Sequence, residues 1–138
     1  YMSVVEYNHR MKGVIMNLAE ILKILGDECR LRIINLLLQQ SLCVCDIEKI
    51  LGTTQSNTSR HLNKLKVAGI LSASKKSQWI YYSINKLFLQ ENEKLIEFLR
   101  EKFSQQEIFK NDLIRLKELK EKYKECEHTF KKVQRSDI

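Results

Sequence analysis

The sequence predicts a mainly α-helical protein with a small β-hairpin, built as a winged helix-turn-helix that dimerises through its terminal helices. Three observations favour this fold. The 138 residues include four glycines and no proline, so few residues interrupt helices. Apolar residues recur at steps of three and four in most segments. Two short helical patterns joined by a glycine-bearing turn precede two strand patterns. The composition, 43% apolar and 30% charged, is that of one globular domain.

The predicted elements divide the chain into a winged helix-turn-helix domain with dimerisation helices, 11–103, and a C-terminal helical extension, 104–138. The first predicted helix covers 11–25, carries apolar residues on one face and is closed by Gly26. Asp27 caps the next helix, 30–39. Because that helix is apolar on most sides, we expect it to lie at the centre of the core.

The next two predicted helices form the helix-turn-helix. A short helix covers roughly 45–51. A longer helix follows an N-cap at Thr53 or Thr54 and runs to about Val67, with Gly69 as its left-handed terminator. At 100° per residue, one face of the longer helix is mostly apolar. The opposite face is polar and basic: Ser56, Arg60, Asn63 and Lys64. That composition suits a recognition helix, since Arg reads guanine edges and short hydroxyls approach phosphates closely.

Two strands are predicted after this helix, over 70–74 and 79–84, around the polar tip 75–78. A hairpin with Lys75 and Lys76 at its tip, directly after a recognition helix, indicates a wing. The alternative is an ordinary edge hairpin whose lysines discourage aggregation.

Basic charge is concentrated in the same region. Residues 53–85 contain five Lys or Arg and no acidic residue, whereas residues 86–138 interleave 13 basic with 11 acidic side chains. The first distribution is typical of a nucleic-acid partner and the second of a solvated helix. A basic surface without a partner is the alternative for the first.

The C-terminal segment has a narrow apolar stripe. Phe109, Leu116, Tyr123 and Phe130 recur every seven residues, and Asp112 interrupts the stripe. A long polar helix of this kind has little local core, so we expect it to pack against a second copy. A homodimer also suits the reading of two symmetric half-sites in double-stranded DNA.

Two of the four cysteines stand close together in Leu42-Cys43-Val44-Cys45-Asp46-Ile47. No secretory or membrane-spanning pattern is present, so we expect a cytoplasmic protein with free thiols and no membrane partner. Cysteines two apart on a regular helix point about 200° away from each other. One ion can therefore take both only if the first turn unwinds or lies outside regular structure, which would strain the helix-turn-helix.

The stretch 25–85, with Gly-Asp-Glu-Cys-Arg-Leu-Arg-Ile-Ile, Leu-Cys-Val-Cys-Asp-Ile, Gln-Ser-Asn-Thr-Ser-Arg-His-Leu and Ile-Tyr-Tyr-Ser-Ile, resembles the ArsR/SmtB family of metalloregulatory repressors. The resemblance implies a homodimer that holds operator DNA until a thiophilic ion binds. It implies that arsenite or antimonite, or next cadmium or lead, binds Cys43 and Cys45. With the derived face and wing, it implies these DNA contacts: Gln55, Ser56, Asn57, Ser59, Arg60, Lys64, Lys75 and Lys76.

The sequence also departs from that family pattern. Glu48 stands where the arsenite sensors have a third cysteine, so the third ligand is open among Glu48, Cys126, Cys29 and a small exogenous thiol or water. The family's Asp and His site after the wing has no counterpart, because residues 86–103 contain neither residue type. We expect Cys29 to have a core or capping role and His61 a buried or DNA-facing one.

Two other functions remain alternatives. The sequence carries no nucleotide-binding loop, zinc-protease motif or nucleophile elbow, so we expect no enzyme. A Cys-x-Cys pair can also be a redox centre, which makes a thiol-redox or persulfide-sensing repressor the first alternative. A protein-interaction adaptor that does not bind DNA is the second.

Overall fold

The computed structural model describes residues 17–136, with side chains as far as residue 125. Seven helices and three strands lie in that part of the chain. In order they are α1 Leu18–Leu25, α2 Glu28–Leu37, β1 Leu42–Cys43, α3 Val44–Leu51, α4 Gln55–Val67, β2 Leu71–Lys76, β3 Trp79–Ile84, α5 Lys86–Glu91, α6 Glu93–Gln105 and α7 Glu107–Ser136. The mainly helical fold with a small antiparallel sheet is thus the one predicted. No helix among residues 17–136 has the length and apolar character needed to span a bilayer.

Side-chain caps decide where four of the helices begin. Asn17, Asp27, Thr54 and Asn85 each have extended backbone angles and accept a hydrogen bond from the first turn of the helix that follows. Each cap satisfies an N–H group that has no partner within the helix. The Asn17 cap corrects the prediction of a helix from residue 11, because α1 begins at Leu18; residues 11–16 lie outside the described part of the chain.

Glycines with left-handed backbone conformations follow the ends of α3 and α4. Gly52 has φ 66° and Gly69 has φ 78°, conformations that cost a side-chain-bearing residue energy. Gly26 closes α1 differently, with φ −76°. A Cβ at Gly26 would lie 3.0 Å from the carbonyl oxygen of Leu22, so close approach of the backbone explains glycine there.

The core is formed by α2, α3 and α4 with the start of the sheet. Helix α2 lies at its centre, as predicted, with Ile33, Ile34 and Leu36 fully buried. Ile47 of α3 and Leu62 of α4 are also fully buried in the same cluster. Because α3 packs against α4, the two helices of the helix-turn-helix share one apolar interior.

The predicted wing is present and has one strand more than the sequence indicated. β2 and β3 pair antiparallel, and the two-residue strand β1 pairs with the other edge of β3, placing Cys43 opposite Tyr81. A strand of two residues is too short to show the alternating pattern by which strands are recognised in a sequence. Lys75 and Lys76 belong to β2 rather than to the turn, which is tight and has Ser77 at φ 57°.

The last helix packs back onto its own chain. Asn35 donates from Nδ2 to the carbonyl oxygen of Phe109 at 3.1 Å, and the Phe103 and Phe109 ring centroids are 4.5 Å apart. Phe109 and Leu116 are buried against the core, so the first part of the apolar stripe is already covered within one chain. The stripe's Phe130 lies beyond the described side chains.

Asp112 interrupts the stripe for a structural reason. Its side chain is fully buried and accepts from Nε of Arg32 at 2.7 Å and from Nη2 at 2.8 Å. Arg115, one turn further along α7, lies 3.7 Å from the same carboxylate. A two-point Arg–carboxylate pair therefore joins α7 to α2.

Candidate nucleic-acid interface and thiol pocket

Helix α4 presents the predicted polar face to solvent. Its buried side consists of Thr58, His61, Leu62 and Leu65. Gln55, Ser56, Ser59, Arg60 and Lys64 are exposed, and Asn57 is half-buried. The first turn of α4 has no acidic residue, so no carboxylate there repels a phosphate that approaches the N–H groups of this helix end.

Asn57 is held within the start of α4 rather than extended into solvent. Its Nδ2 donates to Oγ1 of Thr53 at 3.0 Å, and its Oδ1 accepts from Nη2 of Arg60 at 2.7 Å. Asn57 therefore orients the Arg60 guanidinium, a link that spacing alone did not reveal. A pre-oriented guanidinium loses less conformational entropy when it binds a base edge or phosphate.

The wing adds two more cations. Lys75 and Lys76 are exposed, and Nζ of Lys76 lies 5.6 Å from the centroid of the Tyr81 ring, within cation–π range. Every Lys and Arg of residues 53–85 is exposed: Arg60, Lys64, Lys66, Lys75 and Lys76. This surface, which we call the basic face, can attract a polyanion without competition from its own carboxylates.

The two neighbouring cysteines sit at a junction between strand and helix. Cys43 ends β1 and is the N-cap of α3, whereas Cys45 lies in the first turn of α3. The helix begins one residue earlier than predicted, at Val44. Because Cys43 lies outside the helix, the 200° separation expected on a regular helix does not apply to this pair.

Both cysteines line one open pocket of about 570 Å³, which we call the thiol pocket. Its walls come from three regions: the start of α3, the wing through Trp79 and Tyr81, and α7 through Tyr123. Cys43 is buried and Cys45 half-buried. Among the described residues, the pair belongs to no set of three ligand-type side chains whose ligand atoms lie within 4.8 Å. An ion would therefore have to draw its ligands together.

Tyr123 ties the C-terminal helix to this pocket. Its hydroxyl donates to Oδ1 of Asp46 at 2.6 Å, and Nζ of Lys49 donates to the same hydroxyl at 3.4 Å. The hydrogen bond to the Asp46 carboxylate raises the pKa of Tyr123, and partial burial adds to the rise. The heptad spacing placed Tyr123 on a packing stripe and gave no sign of this contact.

Glu48 also lines the thiol pocket. Its Oε1 is buried and has no hydrogen-bond partner among the described residues. A buried carboxylate oxygen without a hydrogen-bond partner has lost its hydration without a replacement, so the Glu48 side chain can bind a cation. Burial raises the pKa of the Cys43 thiol, and the Asp46 carboxylate adds to the rise. An ion must therefore displace the Cys43 proton at neutral pH.

Cys29 does not line the thiol pocket. It lies in the first turn of α2 near Asp27 and His61. The side chain of Cys126, the other candidate for a third ligand, lies outside the described part of the chain.

Comparisons with known proteins identify the family and the fold. The family model of the bacterial regulatory proteins of the arsR family matches residues 27–73, from the cap of α2 to the first residues of β2. The uncharacterized HTH-type transcriptional regulator MJ1325 of Methanocaldococcus jannaschii is 44% identical over 82 residues, 59% of this chain and 92% of MJ1325.

Two relatives have names that refer to metal or metalloid resistance. The cadmium resistance transcriptional regulatory protein CadC of Listeria innocua is 42% identical over 66 residues, 47% of this chain and 56% of CadC. The arsenical resistance operon repressor of Escherichia coli is 40% identical over 67 residues, 48% of this chain and 57% of the repressor. The matches thus span little more than half the length of these two relatives.

A solved structure shares the fold. The homodimeric winged helix-turn-helix DNA-binding domain of Mb0332 from Mycobacterium bovis superposes with a TM-score of 0.53 at 26% identity, covering 61% of this chain and 78% of that domain. The winged helix-turn-helix prediction is confirmed. These relatives and this fold are those of DNA-binding transcriptional regulators rather than of enzymes.

Proposed function

The chain belongs to the ArsR family of bacterial regulatory proteins, and on that premise we propose that it is a homodimeric repressor released from operator DNA by a thiophilic ion bound at Cys43 and Cys45. One observation carries the proposal: both cysteines line a pocket whose walls join the first helix of the helix-turn-helix to the wing. Ligand and DNA thus engage adjoining parts of one unit.

DNA reading is assigned to the basic face. Arg60, oriented by Asn57, is the candidate for a base edge, and the exposed side chains of Gln55, Ser56 and Ser59 are the candidates for further phosphate or base contacts. Lys64, Lys75 and Lys76 supply phosphate contacts from α4 and the wing.

The homodimer is assigned to α1 and α6, the helices that precede and follow the winged helix-turn-helix. Large apolar side chains are exposed on α1 and α6: Leu18 is 71% exposed, Leu22 53% and Phe98 54%. Such side chains are ordinary at a subunit interface, and the homodimeric M. bovis domain has the same fold. Replacing Phe98 by Glu should yield a monomer in sedimentation and weaken operator binding; an unchanged dimer would contradict this assignment.

Ion binding is coupled to DNA binding through α3. Because Cys43, Cys45 and Glu48 do not form a set of three ligand atoms within 4.8 Å, an ion that binds all three must draw α3 and Cys43 together. Helix α3 packs against α4 and β3, so its displacement shifts the recognition helix relative to the wing. A typical allosteric coupling of about 1 to 3 kcal/mol would lower operator affinity about 5- to 150-fold.

The third ligand that we propose is Glu48, because its unpartnered oxygen lies in the same pocket. Two thiolates favour soft ions over magnesium or calcium. Arsenite and antimonite are the first candidates and cadmium and lead the next. The names of the E. coli and L. innocua relatives support this class of inducer.

The test is a titration of the complex between the full chain and a duplex that the chain itself selects from a random pool. Arsenite, antimonite, cadmium, lead and zinc are added in parallel under reducing conditions. We expect one of the first four to release the duplex from the wild type. Cys43→Ser and Cys45→Ser should bind the duplex normally and not release it, while Cys29→Ser, the matched control, should release it normally.

Two outcomes would contradict the proposal. Release by peroxide or polysulfide, with no response to the ions, would favour the thiol-redox alternative. An affinity for the duplex that does not fall as the salt concentration rises would favour the protein-interaction adaptor. In a DNA-binding protein, each phosphate neutralised should contribute about −0.9 to the slope of log K against the logarithm of the salt concentration.

A further inference from the structure

A second group of metal-ligand side chains lies apart from the thiol pocket, where the start of α2 meets the middle of α4. Asp27, Cys29 and His61 have ligand atoms that all lie within 4.8 Å of one another, and they are the one such set of three among the described residues. From this juxtaposition we infer that they form a second metal site, which we call the Cys29 site, for a divalent transition-metal ion of the zinc class.

The distances suit such an ion. Nδ1 of His61 and Oδ1 of Asp27 are 4.0 Å apart. A zinc ion about 2.0 to 2.2 Å from each, in tetrahedral geometry, would hold them roughly 3.4 Å apart. Side-chain motion alone closes that difference. The Asp27 side chain is 35% exposed, so solvent reaches the site and a water can fill the fourth position.

His61 is prepared to act as a ligand. It is 4% exposed, and burial lowers its pKa by more than the nearby Asp27 carboxylate raises it, so the imidazole is neutral at pH 7. Nη1 of Arg30 lies 3.2 Å from Nδ1, and Nη2 of Arg60 lies 3.5 Å from Nε2.

Both of those guanidinium groups can only donate, and a neutral imidazole has one accepting nitrogen. At most one of the two contacts is therefore a hydrogen bond. An ion at Nδ1 would replace the Arg30 contact. The Arg30 side chain would keep the hydrogen bond from its Nε to the carbonyl oxygen of Ile24, and Arg60 would keep its bond to Asn57.

The charges also balance. Two guanidinium groups beside the site repel a cation, but the Asp27 carboxylate and the Cys29 thiolate together neutralise a divalent ion. Burial and the Asp27 carboxylate raise the pKa of Cys29, so the thiol gives up a proton to solvent when the ion binds. A set of thiolate, imidazole and carboxylate selects zinc or cobalt over magnesium and calcium.

The position of the site determines its effect. An ion held by Asp27 and Cys29 on one side and His61 on the other would fasten the recognition helix to the core helix. Because the three ligands are already close together, binding needs little rearrangement. An ion that binds the folded chain alone stabilises it, so we expect stabilisation rather than operator release.

The test uses a chain in which Cys29 is the sole thiol: Cys43→Ser, Cys45→Ser and Cys126→Ser together. Titration of this folded variant with Co²⁺ should give one equivalent of sulfur-to-cobalt charge-transfer absorption with the d–d bands of a four-coordinate ion. Zn²⁺ should displace the cobalt and raise the midpoint of thermal unfolding.

Three further substitutions in that background test the ligand set. Cys29→Ser should abolish the charge-transfer band. Asp27→Asn, which keeps a capping side chain, and His61→Gln should each weaken cobalt binding at least tenfold, since loss of an outer-shell partner alone typically costs about 10- to 100-fold.

Absence of the band in the sole-thiol chain would overturn the site. A band of equal strength in Asp27→Asn and His61→Gln would overturn it too, because cobalt would then be bound by the thiol alone. Asp27→Asn keeps the test decisive if His61→Gln fails to fold. Operator release plays no part in these measurements, so their failure leaves the proposed function untouched.

Discussion

The two cysteine-bearing regions differ in how far their ligand atoms are assembled. At the Cys29 site, three ligand atoms from two packed helices lie within 4.8 Å. At the thiol pocket, the cysteines flank a strand–helix junction, and the nearby carboxylates of Asp46 and Glu48 contribute to no such set.

This difference predicts that an ion at the Cys29 site stabilises the existing structure, whereas an ion at the thiol pocket changes it. A ligand shifts a conformational equilibrium only by its differential affinity for the two states. An ion at the Cys29 site meets the shape already present and strengthens it. An ion at the thiol pocket must change the local shape before all its bonds form, so its binding energy is available to move α3.

The largest expected effect concerns the ion pair that docks α7, the helix that carries Tyr123 to the thiol pocket. Arg32→Met leaves the buried Asp112 carboxylate without its main partner and should lower the free energy of unfolding by about 3 to 5 kcal/mol. Denaturant unfolding measures the loss.

Lys110→Met is the matched control on the same helix. It removes an exposed pair with Glu107 and should cost at most about 1 kcal/mol. A similar small loss in Arg32→Met would mean that α7 is docked by its apolar side chains alone.

The next effect distinguishes reading DNA from sensing an ion. Arg60→Ala should weaken operator binding by about 1 to 3 kcal/mol if the guanidinium reads a guanine. The affinity of the DNA-free chain for the ion should stay unchanged, because Arg60 does not line the thiol pocket. A duplex titration and an ion titration without DNA check the two statements, and a changed ion affinity would show that the two surfaces are not separate.

The pH dependence of ion binding should differ between the two regions. Burial raises the pKa of Cys43 and of Cys29, so below those values each ion competes with a thiol proton. Affinity at the Cys29 site should rise about tenfold per pH unit, roughly 1.4 kcal/mol, until the thiol ionises. At the thiol pocket the rise with cadmium as the probe should be steeper, because two thiols bind the ion and each gives up its proton. Arsenite does not test this slope, because As(OH)₃ takes up the thiol protons as water. Equal slopes for cadmium in isothermal titrations between pH 6 and 8 would contradict the two-thiol site.

The smallest expected effect tests the contact between α7 and the thiol pocket. Tyr123→Phe removes the hydrogen bond to Asp46, and at this partly exposed position the loss should be about 0.5 to 1.5 kcal/mol. Since the first turn of α3 is then freer to move, operator release should need a few-fold less inducer. Cobalt binding at the Cys29 site should not change, and a parallel change there would mean that the substitution acts through global stability.

The elements that the sequence predicted well are those with local causes. Helix α4 begins behind Thr54 and is followed by Gly69 in the left-handed conformation, because a capping hydroxyl and a residue without a Cβ act within a few positions of themselves. The hairpin and the buried α2 followed from side-chain periodicity. Helix α1 was predicted too long because its apolar spacing continues beyond the Asn17 cap.

Contacts between distant segments were not predictable in this way. Arg32 and Asp112 are 80 positions apart, and Tyr123 and Asp46 are 77 apart. The heptad spacing predicted a dimerisation stripe that contains Tyr123 and that Asp112 interrupts. Neither the spacing nor the composition of a helix indicates whether it will pack against the core of its own chain or against a second copy.

By itself, the sequence determined the order of the helix-turn-helix and the hairpin, the basic face and the neighbouring cysteines, since each depends on residues close together in the chain. The tertiary structure alone decided that α7 folds back over α2 and α3, that Tyr123 joins the thiol pocket, and that Cys29 meets His61. The physical reason is that burial and pairing depend on distances in space, and these are set only when the whole core packs.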